Sequence, residues 1–356
     1  RKVILINMIF KTLEVFKPEY IPKKIPFREE EYEFIKSMLN TLKFNNILQM
    51  QLVGMKGTGK TVTLKKALAD LAVPHYYVVC AHTEYLTFLE ICKAVLGESK
   101  PGLGMLPWDE VLPILKDKLL VLDEADKFMI KGGDELLYRI TNSSISLVLV
   151  SNRHDLMSMV RDSRVQSRLM PIKVSFRPYK LEELKLIILE RAREALEDAE
   201  NVLDDNILTM IADIVQKKNN DARYALLLTK QSILLAAGGG HEKVTPEIVQ
   251  KANQILENME LEQDLSILTP QQKLMLLCAI NFNRVGAAYE MYNRNAPKLG
   301  LEQVSGRRLQ MLISELELNG YISTNKLRRH RQITLLSPEK YEKINEILQR
   351  QLGIKI

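Results

Sequence analysis

The residues best suited to chemistry lie in a segment that reads Gly-Met-Lys-Gly-Thr-Gly-Lys-Thr from position 54 to 61. Its glycine and lysine spacing matches the phosphate-binding loop (P-loop), which follows a strand and opens a helix. Its backbone N–H groups surround phosphates, Lys60 would reach the β- and γ-phosphates, and the Thr61 hydroxyl would bind Mg²⁺. A glycine-rich turn without a ligand is the alternative. The residues expected to contact a nucleotide are Gly54, Met55, Lys56, Gly57, Thr58, Gly59, Lys60, Thr61 and Val62.

A second candidate feature is the apolar run 119–122, which ends in Asp123 and Glu124. A buried strand would expose these carboxylates at the carboxyl edge of its sheet, where open α/β folds bind ligands. Asp123 would then hold Mg²⁺, and Glu124 would orient or deprotonate the attacking water. A strand followed by an acidic helix cap gives the same pattern, so the assignment rests on its pairing with the P-loop.

Four further polar residues could act on the γ-phosphate. Asn152 follows an apolar run and could align a water molecule, although asparagine is also common in turns. Arg164 and Arg168 are four residues apart, project from one face of a short helix, and could donate to a phosphate or form surface ion pairs. Arg223 begins a later helix and could reach the γ-phosphate, but its position alone indicates a solvated residue.

The elements that would position these side chains form an alternating pattern between about residues 45 and 176. Short runs rich in Val, Ile, Leu and Tyr alternate with helical periodicity, which is typical of βαβ units around a parallel sheet. The fold class is therefore α/β, with a parallel five-stranded sheet. The expected strands are 47–53, 76–80, 119–123, 147–151 and 173–176.

The chain after residue 178 is helical, with apolar positions at three- and four-residue spacing. Helices near 181–196, 205–217, 220–236 and 246–259 predict a helical second domain. A third domain begins at Leu268-Thr269-Pro270, where a helix cap precedes a proline. Helices near 270–282, 285–295 and 304–319, then strands at 321–324 and 332–336 around a basic tip, predict a winged helix.

The net charge of +6 is concentrated in the third domain, where residues 281–336 include nine basic and four acidic side chains. Such a surplus favours binding to a polyanion. One helix offers donors to phosphates and base edges, and the hairpin tip would form the wing. A solvated face or a protein-docking module is the alternative. The expected DNA-binding residues are Ser305, Arg307, Arg308, Gln310, Lys326, Arg328, Arg329 and Arg331.

Composition excludes several other classes of protein. The chain of 356 residues contains no run of roughly 20 apolar residues that could span a bilayer. Its three cysteines lack CxxC spacing, and its five histidines form no i, i+4 pair, so neither a disulfide framework nor a zinc site is expected. We therefore expect a cytoplasmic protein without a membrane partner.

The order of motifs resembles the archaeal replication initiators of the origin recognition complex and cell-division-cycle-six type, within the AAA+ class of ATPases. The resemblance rests on the P-loop, DEAD at 123–126, VLVSN at 148–152, SRVQSR at 163–168, FRPY followed by EEL at 176–184, NDARYAL at 220–226, and the winged helix. It also covers the segments PEYIP at 18–22 and IPFREE at 25–30, and so spans essentially the whole chain. The chain departs from the family at DEAD, where a larger apolar third residue is usual, and at Asp162-Ser163-Arg164, where a proline usually precedes the arginine.

This resemblance implies a role for each matching residue. Asn152 corresponds to the first sensor, Arg223 to the second sensor, and Arg164 to the arginine-finger region, with Arg168 as a second candidate. The adenine pocket would be lined by Tyr20, Ile21, Pro22, Tyr179 and Ile187. The family also inserts a DNA-touching helical element at about 84–112, where Trp108 lies, although we expect Trp108 to pack in the core. The implied domains are a nucleotide-binding core at 1–177, a helical lid at 178–262 and a DNA-binding winged helix at 263–356.

The function implied by the resemblance is ATP-dependent binding to double-stranded origin DNA and recruitment or loading of the replicative helicase. ATP hydrolysis would act as a slow switch, Mg²⁺ would accompany ATP or ADP, and a paralogous initiator could be a partner. The protein would then be associated with the nucleoid. The alternatives are an ATP-switched transcription regulator, a clamp loader or branch-migration motor, and an adaptor that binds proteins.

Overall fold

The structure, a computed structural model, describes residues 11–97, 108–116, 118–327, 330–336 and 340–354. The chain divides into two compact units, Arg1–Gln250 and Lys251–Ile356. The division lies inside a helix that runs from Pro246 to Ser266. The domain boundaries expected after residues 177 and 262 stay predictions.

The first unit is built around a parallel sheet of five strands in the order β2-β3-β4-β1-β5. The strands are β1 (Gln49–Val53), β2 (His75–Val79), β3 (Leu119–Asp123), β4 (Ser146–Ser151) and β5 (Ile172–Ser175). Each predicted strand is confirmed to within two residues. Because β4 pairs with both β1 and β3, the ends of these three strands lie side by side at the carboxyl edge.

The central strands β3 and β4 are buried along their whole length, which explains why they are almost continuous apolar runs. Successive side chains of a strand point to opposite faces. Accordingly, Leu120 and Leu122 of β3 belong to one buried cluster, whereas Leu119 and Val121 belong to another. Burying one such side chain contributes roughly 1.5–3 kcal/mol, so the two clusters hold the strand ends in place.

Helices surround the sheet, and the chain between residue 178 and the second unit is helical as well. The helices before residue 178 are α1 (Glu29–Asn40), α2 (Lys60–Leu71), α3 (Glu84–Leu96), α4 (Trp108–Leu115), α5 (Asp126–Met129), α6 (Asp134–Asn142) and α7 (Ser163–Arg168). Those after it are α8 (Leu181–Ala195), α9 (Ala199–Val202), α10 (Asp205–Gln216), α11 (Ala222–Gly239) and α12 (Pro246–Ser266). The side chain of Trp108 is 9% exposed, and its ring centroid lies 3.9 Å from that of Phe88. The predicted packing of Trp108 in the core is therefore confirmed.

The second unit consists of helices α13 (Pro270–Asn281), α14 (Val285–Asn295), α15 (Gly306–Leu318) and α16 (Tyr341–Leu352) with the hairpin β6 (Ile322–Leu327) and β7 (His330–Leu335). The Thr269 hydroxyl caps α13 by accepting the Gln272 N–H at 3.2 Å, as the cap-and-proline pattern predicts. Ser305 caps α15 in the same way, through the Arg308 N–H. Three helices followed by a hairpin confirm the winged helix, whereas α16 was not predicted.

Among the described residues, no helix combines the length and the apolar character that crossing a membrane requires. The three cysteines are buried and free.

Candidate nucleotide-binding and nucleic-acid-binding sites

The P-loop connects β1 to α2, and two of its glycines have backbone conformations that other residues rarely adopt. Gly57 has φ 73° and Gly59 has φ 93°. Both also lack room for a side chain, since a Cβ would lie 2.0 Å from Asp221 Oδ1 at Gly57 and 2.6 Å from the Tyr179 hydroxyl at Gly59. The Ala222 N–H donates to the Gly57 carbonyl at 3.3 Å. The helical part after residue 178 therefore packs directly on the loop.

Lys60, the first residue of α2, points back into the loop. Its Nζ donates to the Gly54 and Met55 carbonyls, both at 2.7 Å, and to Asn152 Oδ1 at 3.1 Å. The side chain is largely buried, and this desolvation lowers the pKa of Lys60 to about 8, although the charge of Asp123 opposes the shift. A phosphate anion beside Lys60 would supply the counter-charge that this ammonium lacks.

Thr61 and Asp123 are brought into direct contact at the carboxyl edge of the sheet. The Thr61 hydroxyl donates to Asp123 Oδ2 at 2.9 Å, and the Tyr77 hydroxyl of β2 donates to the same oxygen. The other oxygen, Oδ1, accepts the Glu124 N–H at 2.8 Å. The predicted pairing of the P-loop with the end of β3 is thus present, and Tyr77 joins it.

These oxygen donors suit Mg²⁺, which prefers one or two protein oxygens together with phosphate oxygens and water. The described part of the chain contains no cluster of three or more His, Cys, Asp or Glu residues that could hold a metal by itself. Thr61 and Asp123 are therefore the two side chains that would hold the ion.

Glu124 and Asn152 flank this centre. Glu124 adopts a left-handed backbone conformation with φ 57°, which is uncommon for a residue other than glycine. Its carboxylate forms an ion pair with Lys127. Asn152 is held through its backbone, because its N–H donates to Asp126 Oδ1 at 3.0 Å while its side chain accepts from Lys60. The structure therefore brings Asn152 to the loop lysine, while its role as the first sensor stays a prediction.

Arg223 lies in the first turn of α11 and follows Ala222, whose N–H donates to the Gly57 carbonyl. Its guanidinium pairs with Asp221 at 3.4 Å, and its side chain is 58% exposed. Its positive charge contributes to the lowered pKa of Lys60, so the two cations lie within electrostatic range of each other. A shift of the Arg223 side chain away from Asp221 would free it for a phosphate.

The two candidate finger arginines lie on a different surface, formed by α6 and α7. Arg164 forms a 2.6 Å ion pair with Asp162, and its guanidinium lies 4.2 Å from the Tyr138 ring centroid. Arg168 donates to Asn142 and lies 5.7 Å from the same ring. Their role in a phosphate contact stays a prediction.

The residues expected to line the adenine pocket come from two parts of the chain, the segment 20–22 and the start of the helical part. Tyr20 packs on α8, where its hydroxyl donates to Glu194 and its pKa is raised by that bond. Ile21 is 38% exposed, whereas Pro22 is buried. The two from the helical part are both buried, namely Tyr179, whose hydroxyl lies beside Gly59, and Ile187 in α8.

The remaining loop residues differ in exposure. Met55 is 42% exposed and Lys56 is also exposed, whereas Thr58 is fully buried and its hydroxyl donates to the Met55 carbonyl at 2.9 Å. Val62 is partly buried in the first turn of α2.

Three residues at this site were missed by sequence reasoning, namely Arg28, Tyr77 and Asp221. Arg28 is completely buried, although it stands in the charged segment 28–31. Nothing in the spacing of these residues could have shown their contacts, because each contact joins parts of the chain that are distant in sequence.

The second unit presents a mixed polar and apolar face on α15. The exposed residues Arg307, Gln310, Met311, Ser314 and Leu318, together with Glu315, line a groove of about 380 Å³. Exposed Arg and Gln side chains can form paired hydrogen bonds with guanine and adenine edges, respectively. This face therefore has the donors that the major groove of a duplex requires.

The other predicted DNA-binding residues are placed unequally. Arg308 is partly exposed, and its guanidinium donates to Glu315, which borders this face, at 3.3 Å and to Gln271 at 3.4 Å. Arg331 is exposed on β7. Lys326 is the fifth residue of β6, and Arg328 and Arg329 lie outside the described residues.

Two segments of the chain match known protein families. Residues 185–254 match the family described as the Cdc6 AAA+ ATPase-type lid domain, and residues 263–341 match the CDC6 C-terminal winged helix domain. An ORC1-type DNA replication protein 1 of Sulfurisphaera tokodaii is 31% identical over 91% of this chain and 88% of its own length. An ORC1-type DNA replication protein of Pyrococcus horikoshii is 30% identical over 90% of this chain and 85% of its own.

The fold leads to the same group of proteins. The structure of the Aeropyrum pernix ORC1 protein in complex with DNA matches with a TM-score of 0.82 and 28% identity, covering 96% of this chain and 97% of the other. Identity at this level over nearly the whole length, with a common fold, means that the chain belongs to the ORC1-type family of archaeal AAA+ DNA replication proteins.

Proposed function

We propose that this protein is a replication initiator that binds double-stranded origin DNA through its second unit and ATP or ADP through its first. The proposal rests on two sites that occur in one chain. In the phosphate-binding loop, Lys60 donates to Asn152 and Thr61 donates to Asp123. In the winged helix, one exposed helix face offers Arg307 and Gln310. The related A. pernix ORC1 protein has been solved in complex with DNA, which supports DNA as the polyanion that this protein binds.

In the nucleotide site, each residue has a distinct task. Backbone N–H groups of the loop bind the phosphates, and Lys60 exchanges its carbonyl contacts for phosphate oxygens. Thr61 and Asp123 would hold Mg²⁺, which would supply positive charge to the phosphates of the nucleotide. Asn152 aligns water on the γ-phosphate, and Arg223 donates to it after leaving Asp221. Arg164 or Arg168 would donate to the nucleotide of a second subunit, for which a paralogous initiator is a candidate.

Hydrolysis is proposed to be slow and to act as a switch. Glu124, which would orient the attacking water, forms an ion pair with Lys127 and has a left-handed backbone conformation. The ion pair with Lys127 must break before the Glu124 carboxylate can act as a base. We propose that the nucleotide state governs DNA binding at the origin and the recruitment of the replicative helicase, with the protein associated with the nucleoid.

The experiment that tests this proposal measures both ligands on one pair of variants. Lys60→Ala removes the ammonium from the loop, and Lys66→Ala, whose ammonium forms a 3.2 Å ion pair with Asp70 on the same helix, is the matched control. Loss of a charged contact of about 3 kcal/mol predicts ADP affinity reduced about 100-fold in Lys60→Ala, measured by calorimetry. Duplex DNA binding in the absence of nucleotide, measured by fluorescence anisotropy, should be retained in both variants, because neither substitution touches the winged helix. A parent protein that binds no nucleotide would refute the proposal.

A further inference from the structure

Arg28 is the largest side chain that is fully buried in the described part of the chain, with 0% exposure. It precedes α1 and lies outside the P-loop motif. Burying a guanidinium is unfavourable unless its donors are satisfied, so a buried arginine indicates that its contacts matter.

The Arg28 guanidinium joins three separate segments of the chain. Its Nε donates to the Thr58 carbonyl in the P-loop at 2.8 Å, and its Nη1 donates to its neighbour, the Phe27 carbonyl, at 2.7 Å. Its Nη2 donates to the Arg177 carbonyl, where the chain leaves β5 for the helical part, at 2.5 Å. The nearest carboxylate, Glu31, lies 3.7 Å away. The side chain therefore acts mainly on backbone carbonyls.

The bond to Thr58 has a geometric consequence for phosphate binding. A trans peptide is planar, so its C=O and N–H point in opposite directions. Holding the Thr58 carbonyl toward Arg28 therefore directs the Gly59 N–H away from Arg28. Gly59 immediately precedes α2, where the N–H groups of a P-loop meet phosphate oxygens.

An aromatic ring also contacts the Arg28 guanidinium. Its central carbon lies 3.9 Å from the Tyr179 ring centroid, and the Tyr179 hydroxyl occupies the space that a Cβ at Gly59 would need. A planar guanidinium can stack on this ring and donate in its own plane at the same time, which an ammonium cannot do. The site is thus shaped for arginine.

The backbone before Arg28 is also in an unusual state. Phe27 has φ 62°, a left-handed conformation that bulky residues rarely adopt. Its N–H donates to Glu29 Oε1 at 3.2 Å, which helps to hold this turn. Such conformations persist where the surroundings require them, often next to functional sites.

We propose that Arg28 is a positioning residue that orients the Thr58–Gly59 peptide of the P-loop for phosphate binding and links it to the start of the helical part. This inference rests on the proposed nucleotide function. It adds a residue from outside the nucleotide motifs to the machinery that sets nucleotide affinity.

The test compares Arg28→Lys and Arg28→Met with Ile35→Val and Ile35→Ala. Ile35 is fully buried in the adjacent α1, so its two variants reproduce graded losses of stability without touching the loop. Dissociation constants for ADP are measured by calorimetry, and thermal unfolding ranks all variants by stability. A lysine can reach one of these carbonyls but cannot form all three hydrogen bonds of the guanidinium. We therefore expect ADP affinity to fall at least 10-fold in Arg28→Lys and further in Arg28→Met. At equal stability, the Ile35 variants should stay within about twofold of the parent.

A second readout works without nucleotide. Labelling the glycines with ¹⁵N allows the Gly59 amide to be followed by NMR, because loss of the hydrogen bond to the Thr58 carbonyl shifts the resonance of that peptide. We expect the Gly59 resonance to move in both Arg28 variants and in neither Ile35 variant, while Gly132 stays unchanged in all four.

The outcomes separate this inference from the proposed function. An affinity loss in Arg28→Lys no greater than in an Ile35 variant of equal stability would overturn it, as would an unmoved Gly59 resonance. If the parent protein binds no ADP, the nucleotide function fails, and the Gly59 resonance alone decides whether Arg28 orients the loop.

Discussion

Gly57→Ala provides a demanding test of the contact between the P-loop and α11. A Cβ at this position would lie 2.0 Å from Asp221 Oδ1 and 2.6 Å from Asp221 Cα, and the second atom belongs to the backbone and cannot rotate away. The start of α11 must therefore move, which breaks the hydrogen bond from the Ala222 N–H to the Gly57 carbonyl. The substitution tests whether this contact is needed to retain nucleotide.

The expected magnitude has two parts. An alanine in the left-handed region costs about 1 kcal/mol, and the lost hydrogen bond with the displaced contact costs roughly another 1–2 kcal/mol. Gly240→Ala is the matched control, since Gly240 has φ 77°, close to the 73° of Gly57, and a Cβ there meets nothing within 4 Å. We expect the melting temperature to fall by about 3 °C in Gly240→Ala and by roughly 6–9 °C in Gly57→Ala.

The functional assay is the dissociation rate of a fluorescent ADP analogue, measured by stopped flow. If the additional 1–2 kcal/mol is lost from the closed arrangement of α11 on the loop, dissociation should accelerate roughly 5- to 30-fold in Gly57→Ala and stay near the parent rate in Gly240→Ala. Equal melting temperatures and equal dissociation rates in the two variants would refute the reasoning.

Three further substitutions test other parts of the account. Tyr77→Phe removes a hydroxyl that donates to Asp123, so the Mg²⁺ concentration needed for tight ADP binding should rise about fivefold, while binding in EDTA stays unchanged. Glu183→Gln removes a carboxylate whose pKa in the folded protein is lowered chiefly by its bonds to Arg177. The variant should lose about 1 kcal/mol of stability at pH 7, because Arg177 is half exposed, and this loss should shrink as the pH falls through the lowered folded-state pKa of Glu183, below which the carboxylate is protonated in both states. A difference in stability that does not decline on acidification would contradict this assignment. Arg307→Ala should weaken duplex binding and reduce the slope of log affinity against log salt by about 1; an unchanged slope would place this side chain away from phosphates.

Much of the first unit could be predicted from sequence because its signals are local. The central strands β3 and β4 are short apolar runs that end in a polar residue, as in β3, where four apolar residues precede Asp123. The P-loop is likewise a continuous pattern, so its place between β1 and α2 followed from the spacing of glycines and Lys60. Both predictions needed only residues that are neighbours in the chain.

The contacts that complete the site could not be predicted in this way. Asp221 reaches Gly57 and Arg28 reaches Thr58 across distances that no periodicity encodes, and a charged run such as 28–31 is usually exposed. Adjacent residues on a helix also diverge in direction by about 100°. The expectation that Arg307 and Arg308 both contact DNA did not use this periodicity, which places Arg308 on the side of Glu315, seven residues later.

Helix α16 was missed for a different reason. Its buried residues Ile344, Ile347 and Leu348 have the three- and four-residue spacing of an amphipathic helix, so the signal was present. The winged-helix pattern of three helices and a hairpin does not require a further helix, although the predicted domain extends to residue 356. These side chains belong to the core of the second unit, which makes α16 part of that unit's packing.

The central claim is that the second unit brings this protein to replication origins. The most direct measurement is a genome-wide capture of DNA fragments bound to the protein, with Arg307→Ala/Gln310→Ala as the control. The account predicts enrichment at one or a few regions where replication starts, with loss of that enrichment in the control. Enrichment scattered over promoters, or identical maps for the two proteins, would contradict it.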